Sequence, residues 1–193
     1  MDGDVKRLSI LGSTGSVGNQ TLEVVRAFPE QFNVVGLASN TNREGIITQS
    51  KEFHPDFVAC NNFNLADTAI LPKNTKITDL AGVAAADNVD IVVAATAGYA
   101  ALPHTFHAIN LGRNIAIANK ETIICGWQIL SKLRKKYRTR LVPVDSEHFS
   151  IMELSKDYSD DDIEEVIVTA SGGPFLNTPV NKLKYVKPHQ AIK

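Results

Sequence analysis

The stretch Leu8-Ser9-Ile10-Leu11-Gly12-Ser13-Thr14-Gly15-Ser16-Val17-Gly18 passes from a short apolar run through a glycine turn into a helical pattern. Its three glycines, Gly12, Gly15 and Gly18, permit positive φ, close approach of a pyrophosphate, and tight packing of the helix on the strand. Free N–H groups at the start of that helix would bind the anion. The stretch therefore predicts a βαβ dinucleotide site, with a purely structural β–α turn as the alternative. Its spacing is G-x-x-G-x-x-G rather than the commoner G-x-G-x-x-G.

Polar side chains around this turn indicate which nucleotide it would take. Within the turn, Ser13, Thr14 and Ser16 offer hydroxyl groups as additional donors. The loop after the second apolar run, Ser39-Asn40-Thr41-Asn42-Arg43, lacks the acidic residue that NAD sites place against the ribose 2′-hydroxyl. Neutral donors beside a cation suit a 2′-phosphate, so the loop favours NADP over NAD. A plain polar loop is the alternative.

Short apolar runs alternate with helical patterns through the first three quarters of the chain. We predict strands over residues 7–11, 33–38, 56–60, 90–95, 114–118 and 140–144. Helices are predicted between them over residues 17–27, 43–53, 78–86, 102–111 and 122–137. Apolar strands without polar alternation are buried on both faces, as in parallel sheets covered by helices. The order predicts an α/β fold with a doubly wound, mostly parallel Rossmann-like sheet.

The alternation stops near residue 145. An acidic stretch over residues 157–165 is followed by a predicted strand over 166–169 and by a turn at Ser171-Gly172-Gly173-Pro174. We therefore expect a cofactor-binding domain over residues 1–146, and the start of an α+β catalytic domain over residues 147–193.

Bulk properties exclude several classes of protein. The 193 residues are 44% hydrophobic and 21% charged with a net charge of −1, which gives no electrostatic footprint for nucleic acid. No apolar run approaches the roughly 18–20 residues that a membrane span needs. Two cysteines are too few for a disulfide scaffold. The chain begins without a signal or transit pattern. The simplest interpretation is a soluble protein of a reducing compartment, and we expect a cytoplasmic localisation.

Three further motifs carry chemical groups. Asn119-Lys120-Glu121 follows a predicted strand, at the sheet edge where ligands collect. In Asp145-Ser146-Glu147, two carboxylates in extended backbone would point the same way and suit Mg²⁺ or Mn²⁺. Ala170–Pro174 would form an anion-binding nest of backbone N–H groups. Each motif has a structural alternative when it is considered alone. The first could be a charged helix start, the second a solvated strand end, and the third a tight turn.

Taken together, the four motifs closely resemble the 1-deoxy-D-xylulose 5-phosphate reductoisomerase family in order and spacing, over the whole chain. The resemblance implies an NADPH- and metal-dependent enzyme of non-mevalonate isoprenoid synthesis. Such enzymes rearrange 1-deoxy-D-xylulose 5-phosphate and reduce the product to 2-C-methyl-D-erythritol 4-phosphate. It also implies a homodimer with a sugar phosphate as its small-molecule partner, and neither a nucleic acid nor a membrane.

The resemblance also assigns roles to individual residues. Contacts to NADPH are implied for Gly12, Ser13, Thr14, Gly15, Ser16 and Val17, for Asn40, Thr41 and Asn42 near the 2′-phosphate, and for Asn119 and Glu121 beside the nicotinamide. The catalytic residues would be Lys120 and Glu147. The metal would be held by Asp145 and Glu147, and the substrate by Lys120, Ser146, Glu147 and Ser171.

The chain differs from the family in length, because members are about twice as long. The third metal carboxylate, an Asn-Lys substrate motif, a flap histidine and a C-terminal helical domain would then lie beyond Lys193. We expect residues 1–193 alone to bind NADPH with little turnover. The alternatives are a non-catalytic NADP-binding module and another NADP-dependent dehydrogenase with Cys125 as its nucleophile.

Overall fold

The computed structural model of the protein describes residues 5–168 and 173–192, apart from the side chain of residue 65. The chain divides into two compact units, Met1–Asp145 and Ser146–Lys193. The domain limits expected from the sequence remain a prediction, and each unit is described here by itself. Among the described residues, no helix is long and apolar enough to cross a membrane.

A seven-stranded sheet in which every pairing is parallel forms the centre of the first unit, and this confirms the α/β fold class. The strands lie in the order β4-β3-β2-β1-β5-β6-β7. Their bounds are β1 Lys6–Leu11, β2 Phe32–Ser39, β3 Phe57–Cys60, β4 Lys76–Ile77, β5 Ile91–Ala94, β6 Asn114–Ile117 and β7 Leu141–Pro143. Strand β4 was not expected from the sequence, because two residues are too few to form a recognisable apolar run. The strand order reverses between β1 and β5, and such a switch point is where sheets of this kind bind ligands.

Within residues 5–145 of the first unit, five α-helices connect the strands and cover both faces of the sheet. Their bounds are α1 Ser16–Ala27, α2 Arg43–Phe53, α3 Leu80–Ala85, α4 Leu102–Asn110 and α5 Lys120–Tyr137. Helices α1 and α2 bury residues such as Leu22 and Ile46 in one apolar cluster. Helices α3, α4 and α5 bury Val83, Ile109 and Leu130 in the other. Two-sided burial explains why the strands lack polar alternation.

The described part of the second unit contains helices and no strand. Helix α6 spans Ser146–Ser155, and the shorter α7 and α8 span Val180–Leu183 and Pro188–Ala191. The strand predicted from residue 166 is wrong for residues 166–168, which lie in no ladder and are more than half exposed. Their β-branched side chains favour a strand, but a strand forms only where a neighbour pairs with it.

Candidate functional site

The glycine turn connects β1 to α1 at the switch point of the sheet. Gly12 has a φ of +87°, and a Cβ there would lie 2.7 Å from the carbonyl oxygen of Ala95. A Cβ on Gly18 would lie 2.5 Å from the Cα of Ser13 and closer still to the carbonyl oxygen of Gly12. The first glycine is therefore required by conformation and by its neighbour after β5, and the last by the packing of α1 against the turn.

Gly15 differs from the other two glycines, because it is exposed and has an ordinary negative φ of −79°. It is the N-cap of α1, and among the described residues no side chain caps this helix. The N–H groups in the first turn of a helix have no partner within the helix. Ser16 and Val17 therefore present polar backbone toward solvent at the positive end of the helix, which can hold a phosphate.

The three hydroxyls of the turn are not equivalent, and for the Ser13 hydroxyl this corrects the expectation of a donor to a ligand, while the roles of Thr14 and Ser16 stay predictions. Ser13 is fully buried, and its hydroxyl donates to the side-chain oxygen of Gln49 at 2.7 Å. Gln49 in turn donates to the carbonyl oxygen of Ser13 at 3.0 Å. Thr14 is hydrogen-bonded to Ser39 at the end of β2, at 2.7 Å. Ser16 is the exposed hydroxyl of the three. Ser13 therefore anchors the turn to α2.

The loop after β2 lies against the segment that follows β3. The side-chain amide of Asn61 donates to the side-chain oxygen of Asn40 at 2.7 Å, and that of Asn62 donates to the carbonyl oxygen of Thr41 at 2.9 Å. Asn42 caps α2 by accepting a hydrogen bond from the N–H of Gly45 at 2.9 Å. The loop is thus fixed in shape by polar contacts on its outer side.

Arg43, the first residue of α2, pairs with a carboxylate that sequence reasoning missed. Its Nε and Nη2 both donate to Oδ1 of Asp67, with the Nε bond at 2.9 Å. Asp67 is fully buried, and its other oxygen accepts a hydrogen bond from the N–H of Asn64 at 2.8 Å. The hydrogen bond from Arg43 keeps the pKa of Asp67 below its ordinary value, so the carboxylate stays charged.

Asn119 is buried and acts as the N-cap of α5, accepting a hydrogen bond from the N–H of Thr122 at 2.7 Å. Its amide group donates to the carbonyl oxygens of Thr96 at 2.6 Å and Gly98 at 2.9 Å. The loop after β5 is therefore held beside the glycine turn, where Gly12 approaches it. The structure thus brings the first two predicted motifs to one edge of the sheet, while Lys120 and Glu121 lie exposed on the first turn of α5.

The predicted carboxylate pair has a different local structure from the one expected. Glu147 lies in the first turn of α6, so the expectation of extended backbone from Asp145 to Glu147 is wrong. The Ser146 hydroxyl donates to Glu147 at 3.0 Å. Within residues 5–168 and 173–192, no three His, Cys, Asp or Glu side chains are grouped so as to hold a metal ion. Ser171, the predicted phosphate contact, lies outside the described residues.

Comparisons with known proteins point in one direction. The family model of 1-deoxy-D-xylulose 5-phosphate reductoisomerase matches residues 8–126, and the model of that family's C-terminal domain matches residues 141–193. Curated reductoisomerases of Chlorobium phaeovibrioides and Chlorobaculum tepidum are each 44% identical, over 98% of this chain and 51% of their own length. The chain therefore spans about half the length of the curated relatives it matches.

Solved structures agree with the sequence comparisons. A reductoisomerase in complex with NADPH, fosmidomycin and magnesium superposes with a TM-score of 0.81 and 29% identity, over 98% of this chain and 51% of that one. The Zymomonas mobilis enzyme in complex with NADPH gives a TM-score of 0.80 and 27% identity, over 98% and 52% of the two chains.

Proposed function

Because the chain belongs to the 1-deoxy-D-xylulose 5-phosphate reductoisomerase family, we propose that it forms the NADPH-binding part of such an enzyme. The whole protein would convert 1-deoxy-D-xylulose 5-phosphate to 2-C-methyl-D-erythritol 4-phosphate, with NADPH as reductant and Mg²⁺ or Mn²⁺ as metal. It would act as a cytoplasmic homodimer in isoprenoid synthesis. The observation that carries the proposal is the glycine turn at the switch point, which leads into a helix whose first N–H groups have no side-chain cap among the described residues.

The turn fits a pyrophosphate in its shape and in its donors. Gly15 is exposed at the helix start, and the one described atom within 4 Å of a Cβ there is the carbonyl oxygen of Gly12, at 3.3 Å. A phosphate can therefore approach the backbone at this point without meeting a side chain. We assign the N–H groups of Ser16 and Val17 and the hydroxyl of Ser16 to the pyrophosphate. Ser13 stabilises the turn through its hydrogen bonds with Gln49.

The nicotinamide would lie beside the start of α5, beyond the loop after β5. The bonds from Asn119 to that loop support a positioning role, because its amide hydrogens already have carbonyl partners in the protein. Lys120 is exposed at the helix start and would place a cation beside the reacting oxygen, where it stabilises developing negative charge. Glu121 would border the same region.

The carboxylates Asp145 and Glu147 have hard oxygen atoms, which are the donors that Mg²⁺ and Mn²⁺ prefer. Two carboxylates leave positions for substrate oxygens, so the set fits one wall of a catalytic metal site and holds an ion weakly by itself. A bound divalent ion supplies Lewis-acid chemistry to the carbonyl and hydroxyl oxygens of the substrate. Ser146 and Ser171 would contact the sugar phosphate.

Calorimetric titration of the 193-residue chain with NADPH tests the cofactor site. We expect binding that is stronger than for NADH, and little NADPH oxidation when deoxyxylulose phosphate and Mn²⁺ are added. The matched variants are Gly15→Val, which places a side chain over the helix start, and Cys125→Ser on the exposed face of α5. Gly15→Val should abolish binding and Cys125→Ser should leave it unchanged. Failure of the unmodified chain to bind NADPH would contradict the proposal.

The reductoisomerase activity is tested in a fusion that joins residues 1–193 to the second half of the Chlorobaculum tepidum relative. We expect metal-dependent NADPH oxidation by the fusion, and its loss in Lys120→Ala with NADPH binding retained. A fusion that binds NADPH and Mn²⁺ but turns over no substrate would refute the enzymatic proposal. That result would favour a non-catalytic NADP-binding module.

A further inference from the structure

The segment after β3 forms the outer wall of the loop that would receive the adenosine end of the cofactor. It contributes Asn61 and Asn62, which hold the loop after β2, and Asp67, which holds Arg43. None of these three residues belongs to a motif that predicted a function. They nevertheless contact the loop after β2 and Arg43, to which we assign the 2′ end of the cofactor.

We propose that Asp67 is a positioning residue that sets the preference for NADPH by holding the Arg43 guanidinium at the adenosine end of the cofactor site. The inference rests on the proposed cofactor site. Arg43 begins α2 directly after the loop at the end of β2, the place where folds of this class contact the 2′ position of the ribose. Its guanidinium has five N–H donors, of which two are used by Asp67, so donors remain for a phosphate.

The burial of Asp67 makes it suitable for this role. Its side chain is 1% exposed, whereas that of Arg43 is 38% exposed, so the carboxylate is fixed and the cation reaches solvent. The second oxygen of Asp67 is held by the N–H of Asn64, in a capping box at the start of the 3-10 helix Leu65–Ala69. A long flexible side chain is therefore fixed at its tip by a rigid acceptor. Such preorganisation reduces the entropy that is lost when a ligand binds.

The contribution of this pair to selectivity differs from that of a free arginine. The carboxylate neutralises part of the cation's charge, so selection would depend on donor geometry more than on net charge. A planar guanidinium held at one edge presents its remaining N–H groups in a fixed fork, which matches phosphate oxygens. Removing the carboxylate should therefore weaken the binding of the 2′-phosphate, even though the site becomes more positive.

The test is calorimetric titration of the 193-residue chain with NADPH and with NADH separately. For Asp67→Asn, which keeps the shape and the acceptor for Asn64, we expect about tenfold weaker NADPH binding, the size of one charge-assisted hydrogen bond. NADH binding should change less than about twofold. Arg43→Gln should give at least as large a loss, and the double variant should lose no more than Arg43→Gln alone, because Asp67 acts only through Arg43.

The matched control is Glu52→Gln, which removes the carboxylate from the comparable pair between Arg26 on α1 and Glu52 on α2. It should leave the ratio of the NADPH and NADH dissociation constants unchanged. Equal weakening of both nucleotides by Asp67→Asn would mean a merely structural role and would overturn the inference, as would tighter NADPH binding or no change. If Asp67→Asn fails to fold, Arg43→Lys with Asp67 intact gives the same comparison. Failure of the unmodified chain to bind NADPH would instead overturn the proposed function.

Discussion

Replacement of Gly18 by alanine should destabilise the first unit by forcing α1 away from the glycine turn. The added Cβ would lie 2.5 Å from the Cα of Ser13, about 1 Å inside the normal carbon–carbon contact of about 3.5 Å. The obstructing atoms are backbone and cannot rotate away, so α1 must move outward. Leu22 and Val25 lie on the same face of that helix and would lose packing. We expect a loss of about 3 kcal/mol, the upper part of the range for overpacked cores.

Urea unfolding followed by tryptophan fluorescence would measure this loss, because the single tryptophan, Trp127, lies on α5 in the same unit. A loss of about 3 kcal/mol corresponds to a melting temperature about 6–12 °C lower for a unit of this size. Gly112→Ala is the comparison variant, since Gly112 has a positive φ that the helical Gly18 lacks, and has nothing among the described residues within 4 Å of a Cβ. It should lose about 1 kcal/mol from backbone strain alone. A Gly18→Ala variant as stable as Gly112→Ala would refute the packing argument.

Three further predictions concern polar groups that hold the first unit together. Asn119→Asp keeps the helix cap but removes both donors to the loop after β5, so about 2 kcal/mol of stability should be lost in urea unfolding at pH 7. The side-chain hydrogen bond from Arg7 lowers the pKa of Asp90 to about 2, so its contribution is present above pH 4 and is lost as the pH falls from about 4 to about 2. In Asp90→Asn, the unfolding free energy that is lost between pH 4 and pH 2 should be smaller by about 1 kcal/mol, a modest value because this pair is partly exposed. Ser13→Ala should lower the unfolding free energy in urea by about 1–3 kcal/mol, because it leaves the buried side-chain oxygen of Gln49 without its donor.

The elements of the first unit were predictable because the sequence signals that determine them lie within or next to each element. Apolar runs, a glycine turn and N-cap residues give the strand and helix limits within a few positions, and the strict βα alternation leaves few topologies. The start of α5 was expected two residues too late, although Asn119 is the kind of residue that caps a helix. The start of α2 at Arg43 was predicted correctly.

The contacts that were missed join residues far apart in the chain. Ser13 and Gln49 are separated by 36 positions, and Arg43 and Asp67 by 24. Each residue alone reads as an ordinary polar side chain, and its role appears only when the sheet brings two loops together. The sequence around Asp67 does contain a signal, because Asn64 and Asp67 have the spacing of a capping box. That signal indicates the start of a helix and says nothing about a partner on α2.

The two units differ in how much apolar surface they bury, and this difference bears on what each contributes to the proposed enzyme. The first unit closes its own core, with Ile10, Leu37 and Ile109 fully buried. In the second unit, no residue of the described ranges 146–168 and 173–192 is buried, and large apolar side chains such as Leu154 and Val180 are mostly exposed. A segment that buries no apolar side chain gains little from the hydrophobic effect to offset its conformational entropy. Cofactor binding, which we assign to the first unit, should therefore survive changes in the second, whereas the proposed metal binding should depend on residues 146 onward. A Leu154→Ser chain that binds NADPH as tightly as the unmodified chain would support this separation, and a chain that loses NADPH binding would contradict it.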